Sequence, residues 1–390
     1  MTPETTSAPT GRLDVLDALR GFIMIFMALD HASMFIALQH YSESWGIPLP
    51  VYPSALSFFT RVISHLCAPG FFFLMGLGMH FFWTSRTVRG WSQARITKHY
   101  LKRGAVLIAM DIFIMTPAWV IGTLEQITSE NSPVGQTPGA GGSPLILIGV
   151  LACLGGTMMI TSFLLRLGAG LTLGLGVALM LLCQVVVPDA SLVFEPMNAA
   201  ERLFFVPGHD GILMVIYPIL PWVPVCLFGM AYGHAVKANP ERALKAPLIA
   251  GVIGAVLFVA IRSAEGFGTH HPMPGDNGMA LFTVTKYPPS IAFILLSLSA
   301  NALVLAAIVR AQSRLQGAGK ALLVFGRAPL FFYVAHLYLY SLTGFAYPDA
   351  TSLYAMYPVW IVGLVLLYPA CVWYTGFKGR KSEDSLWRLF

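Results

Sequence analysis

Long apolar runs, interrupted by short polar loops bearing glycine and proline, repeat along almost the whole chain. A helix needs about 20 mostly apolar residues to cross a bilayer, and only helices and closed barrels satisfy their backbone in lipid. Barrel strands would alternate apolar and polar positions in short segments, whereas these runs are continuous, so the pattern predicts helices. Spans are expected near residues 16–38, 62–83, 103–123, 145–165, 168–188, 211–235, 246–262, 287–309, 321–345 and 357–376. The expected fold is therefore all-α: a polytopic membrane protein of about ten spans. A single transmembrane domain covers residues 1–390, with a polar segment 1–15 before the first span and a tail 377–390 after the last. Glu125 to Ser143, rich in Gly, Pro, Ser and Thr, reads as a flexible surface connection.

Composition agrees. Of the 390 residues 56% are hydrophobic and 11% charged, with a mean hydropathy of +0.70. A soluble protein would carry about a quarter charged residues. The net charge of +6 does not indicate nucleic acid, because the basic residues sit in short loops where they report topology. Arg12, Arg20, Arg86, Arg103, Arg166, Lys237, Arg310, Arg327 and Lys378 fall on one side with most of the others. Only Arg61, Arg202, Arg262 and Lys286 fall on the opposite side, so both termini are expected in the cytoplasm. The polar start lacks the small-residue site that ends a cleavable signal, so the first run is expected to be retained. Cys67, Cys153, Cys183, Cys226 and Cys371 all lie in apolar runs without a CxxC pair, which argues against a disulfide framework or a zinc site.

Against this apolar background the ionisable residues inside spans stand out, since each is costly in lipid and is a functional candidate for that reason. The first span carries Asp17, Arg20, Asp30 and His31. At about 100° per residue Arg20 and His31 fall within roughly 20° of one face, about 16 Å apart along the axis. His336 in the ninth span shares a face with Tyr333 and Tyr340, three and four residues away. It lies nine residues beyond Arg327 as His31 lies eleven beyond Arg20, so two imidazoles are expected at similar depth. Their chemistry is proton handling, with a carboxylate or another helix orienting the base. Asp30 is turned about 100° from His31, so the partner is sought in Asp111 or on another span. The competing readings are that His31 and His336 only hydrogen-bond between helices, and that Asp111 only ties helices together.

Weaker candidates surround these. His65 sits at the outer start of the second span, and His40 in the first external loop can fold back over the helix end. Lys286 enters the eighth span from outside, where it would meet an anionic or carbonyl group. His80, His99 and His234 are expected in solvated or anchoring roles near the cytoplasmic interface. His270 and His271 lack a third ligand for a metal site. Pro218, Pro221 and Pro224 would distort the sixth span.

The opening GRLDVLDALRGFIMIFMALDHA resembles the first-helix signature of the acyltransferase 3 group of membrane acyltransferases, an arginine followed after ten residues by a histidine, here Arg20 and His31. Further blocks are more similar to bacterial relatives of heparan-alpha-glucosaminide N-acetyltransferase: CAPGFFFLMGLGM, YPILPWVPVCLFGMAYG, KYPPS and FGRAPLFFYVAHLYLY. They run in order from the first span to the ninth. The resemblance implies acyl transfer across the membrane, from cytoplasmic acyl-CoA to a hydroxyl or amine on the far side. It implies His31 as base or acyl-handling residue. It also implies Arg20 at the donor entrance and His40 as a second catalytic position, because the mammalian enzymes carry their histidine slightly later.

The expected protein is thus an acetyltransferase of the cell inner (plasma) membrane. Its donor is acetyl-CoA or another acyl-CoA, with no tightly bound cofactor, no metal and no nucleic acid; its acceptor is an extracytoplasmic sugar or glycan, and it is a possible homo-oligomer. His31 and His40 are the catalytic candidates. Arg20, Asp30, Asp111, Arg327, Tyr333 and His336 are the donor-binding or cavity-lining ones, and His65 and Lys286 lie on the acceptor side. The alternatives are a proton-coupled transporter or flippase relaying through His31, Asp30, Asp111 and His336, and bis-histidine haem ligation by His31 and His336.

Overall fold

A computed structural model describes residues 11–127, 146–188, 197–317, 319–347, 350–382 and 385. Thr128 to Ser143 of the expected Gly/Pro-rich connection, and most of the polar N-terminal segment, lie outside the described residues. The chain opens with α1 (Gly11–Ile36), α2 (Ala55–Val62), α3 (Cys67–Val88), α4 (Gln93–Met110) and α5 (Thr116–Ile127). Next come strand β1 (Ile146–Ile148), α6 (Val150–Ser162), α7 (Ala169–Val186), α8 (Ala199–Phe204), and strands β2 (Gly208–Asp210) and β3 (Leu213–Val215). The remainder is α9 (Val223–Ala238), α10 (Pro240–Ala264), α11 (Gly278–Phe282), α12 (Ile291–Arg310), α13 (Lys320–Arg327), α14 (Pro329–Gly344) and α15 (Leu353–Gly379).

Among the described residues seven helical stretches are long and apolar enough to cross a membrane, and the bent pair α13–α14 would make an eighth. The chain is a helical multi-pass membrane protein. Two expected spans are corrected. Residues 211–235 do not form one helix: Pro218, Pro221 and Pro224 lack the N–H a helix interior needs, and the segment runs as β3, a 3₁₀ turn at Leu220–Trp222 and the 16-residue α9. Residues 145–165 begin as β1, leaving only 13 residues in α6. The strands form one small sheet, β1 parallel and β2 antiparallel to β3, with Ile146 opposite Leu213 and Gly208 opposite Val215.

The first helix is the axis of the bundle. Of its apolar window 78% is buried within the protein, against 17% for α10 and 22% for α7 and α15, which turn their apolar faces outward. It packs against α13, α14, α15, α3 and α12. The tightest of these contacts is made by glycine on both sides. A Cβ on Gly21 would overlap the Leu322 carbonyl, and one on Gly326 would overlap that of Asp17. Only bare backbone lets α1 and α13 approach so closely, and this fixes where α14 emerges beside α1. Between α13 and α14 the chain turns by 94°, at Ala328, because Pro329 starts a new helix and cannot continue the old one. The ninth span is therefore broken, and counting residues from Arg327 along one straight helix does not give the depth of His336.

A histidine pair between a cationic cavity and a buried ion network

His31 on α1 and His336 on α14 meet directly. His31 Nδ1 lies 2.7 Å from His336 Nε2, and the rings are 13° from parallel with centroids 4.9 Å apart. At that N–N distance the rings lie edge to edge in nearly one plane, joined by an in-line hydrogen bond. The second nitrogen of His336, Nδ1, is 2.7 Å from the carbonyl oxygen of Phe332 one helical turn back. A carbonyl only accepts, so His336 Nδ1 carries the proton and its Nε2 does not. His31 Nδ1 must then be the donor to His336, and the unprotonated nitrogen of His31 is Nε2. Nε2 has no partner among the described residues, while the Trp119 ring packs at 85° to the imidazole, centroids 5.1 Å apart, and holds it in place.

One residue away, Asp30 belongs to a separate network built from α1, α2, the 3₁₀ turn Ile63–Leu66 and the loop after α1. Arg61, 3% exposed, donates from Nη1 to Asp30 at 2.9 Å and from Nη2 to Glu43 at 2.7 Å. Glu43 also accepts from His65 Nε2 at 2.8 Å and from the Tyr52 hydroxyl at 2.9 Å. His40 folds back over the helix end, its Nδ1 3.4 Å from Arg61 Nη1 and 3.6 Å from Asp30. Burial, followed by the Arg61 cation, pushes the His40 imidazole down to about 3, so it is neutral. Burial works to raise Glu43, but Arg61 and then His65 outweigh it and hold the carboxyl down at about 2. The loop itself is clamped to the segment before α12. Lys286 N–H donates to the Glu43 carbonyl at 2.9 Å, and Trp45 N–H to the Tyr287 carbonyl at 2.7 Å.

At the other end of α1 a cavity of about 420 Å³ opens between α1, α3, α4, α6 and α14. Its walls are apolar, with Met24, Met75 and Met79 among them, and its cations are Arg20, Arg103, Arg327 and Lys378. Arg20 is held by Asp17 at 2.8 Å and the Gly326 carbonyl at 3.0 Å, and Arg327 by Asp14 at 2.6 Å. Arg103 makes no hydrogen bond or ion pair with any described residue, and its Nε is buried without a partner. Tyr333 forms the inner wall, and its ring meets that of His336 edge-on at 5.7 Å. One aromatic ring therefore separates the cavity from the histidine pair.

Asp111 is not part of either site. It sits in a π-helical turn between α4 and α5, where its Oδ2 accepts from the backbone N–H of Gly149 at 2.7 Å and of Ala152 at 3.0 Å. It satisfies the exposed amides at the start of α6, a helix-tying role. His80 is not solvated: it is 1% exposed and packs on His234, ring centroids 4.0 Å apart. Arg61, Glu43, Tyr52 and Arg103 were not singled out as site residues from sequence. The available signal was Arg61 itself, a lone arginine in ALSFFTRV on the side otherwise poor in basic residues.

The family model for the catalytic domain of heparan-alpha-glucosaminide N-acetyltransferase matches residues 12–272, about two thirds of the chain. The chain belongs to that family. No curated protein matches it. The matched stretch includes Arg20, Asp30, His31, His40, Glu43, Arg61, His65 and Arg103, whereas Lys286, Arg327, Tyr333 and His336 lie beyond it. Membership makes this chain one of a family of membrane acetyltransferases, and acetyl-CoA is the donor substrate that such a family implies.

Proposed function

We propose that this protein moves an acetyl group from cytoplasmic acetyl-CoA to a hydroxyl or amine of an extracytoplasmic sugar or glycan, across the bacterial inner membrane. In this reading the chain makes ten passes, α6 and α9 serving as short ones, and both termini are cytoplasmic. The observation that carries the reading is the cation-bearing cavity that ends at Tyr333, whose ring meets His336, and His336 in turn holds His31 with its Nε2 unprotonated and free.

The cations of the cavity suit the phosphates of CoA, with Arg103 the one that has no partner to leave among the described residues. Arg20 and Arg327 shape the entrance, and the apolar walls accept the pantetheine arm. His31 Nε2 is the general base. It takes the proton of the acceptor as the acceptor oxygen or nitrogen attacks the thioester carbon, and it returns that proton to the departing CoA sulfur. His336 holds His31 in the tautomer that leaves Nε2 free, and accepts the Nδ1–H more strongly once the imidazolium forms. His40 has the opposite arrangement. Its Nδ1 faces Arg61, so its proton is on Nε2 and it donates to the acceptor. Asp30, Glu43, Arg61 and His65 form the rigid floor on the acceptor side.

The test is release of CoA thiol from acetyl-CoA by purified protein, with a panel of amino sugars and sugar alcohols as acceptors. Wild type should turn over and His31→Ala should lose at least about 10³-fold in kcat while still binding acetyl-CoA. Equal rates from a folded His31→Ala protein would end the assignment.

A further inference from the structure

Lys286 is buried to 3% exposure beside the Asp30–Arg61–Glu43 network, just before the N-cap of α12. Its ammonium lies 5.1 Å from the centroid of the Tyr287 ring and makes no hydrogen bond or ion pair with any described residue. The neighbouring carboxylates are already taken, Asp30 by Arg61, and Glu43 by Arg61, His65 and Tyr52. The backbone sets this residue against the loop that carries His40 and Glu43, since the N–H groups of Lys286 and Tyr287 both donate to the Glu43 carbonyl, at 2.9 and 3.3 Å, and Tyr287 bridges to Ser44. An ammonium has three donors and none that accept. Buried cations are expensive unless paired, so a position that leaves all three donors open is shaped for a group that arrives with substrate.

Charge decides which group. Asp30 and Glu43 balance Arg61 and Lys286 while the histidines are neutral. A permanently anionic ligand on Lys286 would leave the buried site with a net negative charge. An oxyanion on the acyl carbon forms in the same step as an imidazolium on His31, and the total stays at zero. We propose that Lys286 Nζ donates to the carbonyl oxygen of the transferred acyl group and stabilises the oxyanion of the tetrahedral intermediate. The inference rests on the acyl-transfer reading above.

The step balances. The acceptor O–H or N–H bond breaks as its proton goes to His31 Nε2, the new C–O or C–N bond forms, and the carbonyl π pair moves to the oxygen facing Lys286. On collapse that pair re-forms the carbonyl, the C–S bond breaks, and the CoA sulfur takes the proton from His31. Fixed donors aimed at developing charge in a dry site act on the transition state more than on the bound substrate, so the effect is read in kcat.

The experiment uses the full-length protein in lipid nanodiscs, with acetyl-CoA and whichever acceptor wild type uses. Lys286→Met should lower kcat by about 10²–10³-fold with KM for donor and acceptor within about threefold of wild type, and Lys286→Arg should recover at least about tenfold of that loss. A kcat within about threefold of wild type in Lys286→Met overturns the inference. So does a rise in acceptor KM at unchanged kcat, which would make Lys286 an acceptor anchor. If Lys286→Met fails to elute as a folded species, Lys286→Gln against Lys286→Arg decides, since equal kcat in those two also overturns it. Wild-type protein that transfers no acyl group overturns the acyl-transfer reading itself, and is distinguished by that control.

Discussion

Replacing His336 by phenylalanine tests whether the histidine pair sets the tautomer of His31. Phenylalanine keeps a ring of similar size among Phe332 at 5.1 Å and Tyr333 at 5.7 Å, so the packing of α14 is retained. What disappears is the acceptor 2.7 Å from His31 Nδ1. A buried N–H left without its acceptor costs about 1–3 kcal/mol, and about 1.4 kcal/mol corresponds to tenfold in rate. The pair also selects the tautomer with Nε2 free, and without it the proton can sit on Nε2, where His31 is no base. The two effects together give an expected fall in kcat of about 10²-fold for His336→Phe. His336→Gln restores an acceptor oxygen and should return activity to within about tenfold of wild type. Thiol release from acetyl-CoA measures both variants, and a thermal shift on adding acetyl-CoA shows that the donor site is intact. A His336→Phe rate within about threefold of wild type would refute the tautomer argument, as would a His336→Gln variant no better than His336→Phe.

Three other perturbations separate the remaining parts of the site. Arg103→Gln should raise KM for acetyl-CoA by about tenfold or more with little change in kcat, in steady-state kinetics over donor concentration, because the proposed phosphate contact is lost and no partner among the described residues is freed. Gly326→Val places a side chain on the Asp17 carbonyl and should lower stability by about 1–3 kcal/mol or more, seen as a reduced melting temperature in detergent; an unchanged value would mean that α1 and α13 can part without cost. Stability should fall as pH drops from neutrality, since His40 and Glu43, among other groups shifted down, bind more protons in the unfolded state. His40, held near 3, loses its contribution as pH falls below the ordinary histidine value of about 6.5. Glu43, held near 2, contributes above the ordinary carboxylate value and loses that as pH falls toward 2. His40→Gln should therefore reduce the slope of the melting-temperature profile between about pH 6.5 and pH 4.5 and leave the carboxylate-dependent acid limb in place.

The parts of this molecule that hydropathy encodes were legible in the sequence. Most of the continuous apolar runs are membrane helices, though 145–165 and 211–235 open as strands, and a histidine in such a run is conspicuous, so both His31 and His336 could be picked out. Their contact could not be derived, because it depends on the 94° break at Ala328 and on Gly21 and Gly326 letting two backbones touch. Asp111 shows the converse difficulty. An acidic residue in a span looks functional until the amides of Gly149 and Ala152, forty residues away and at the head of another helix, are seen to need it. The Arg61 network was least accessible, since Glu43 lies in a loop that composition alone describes as ordinary connecting chain. Burial of that loop arises from its clamp onto Tyr287, a pairing across more than two hundred residues.

The hydrogen-bond chain that starts at His31 ends on the carbonyl oxygen of Phe332. That oxygen has no proton to hand on, and it is itself part of a helix backbone. A proton taken up at Nε2 of His31 therefore has no onward conductor through His336, and leaves by the face on which it arrived. Proton wires that cross membranes need each link to be both giver and taker, and here the last link is only a taker. In the proposed reaction the pair is thus a dead end for the proton and not a route across the bilayer along α14.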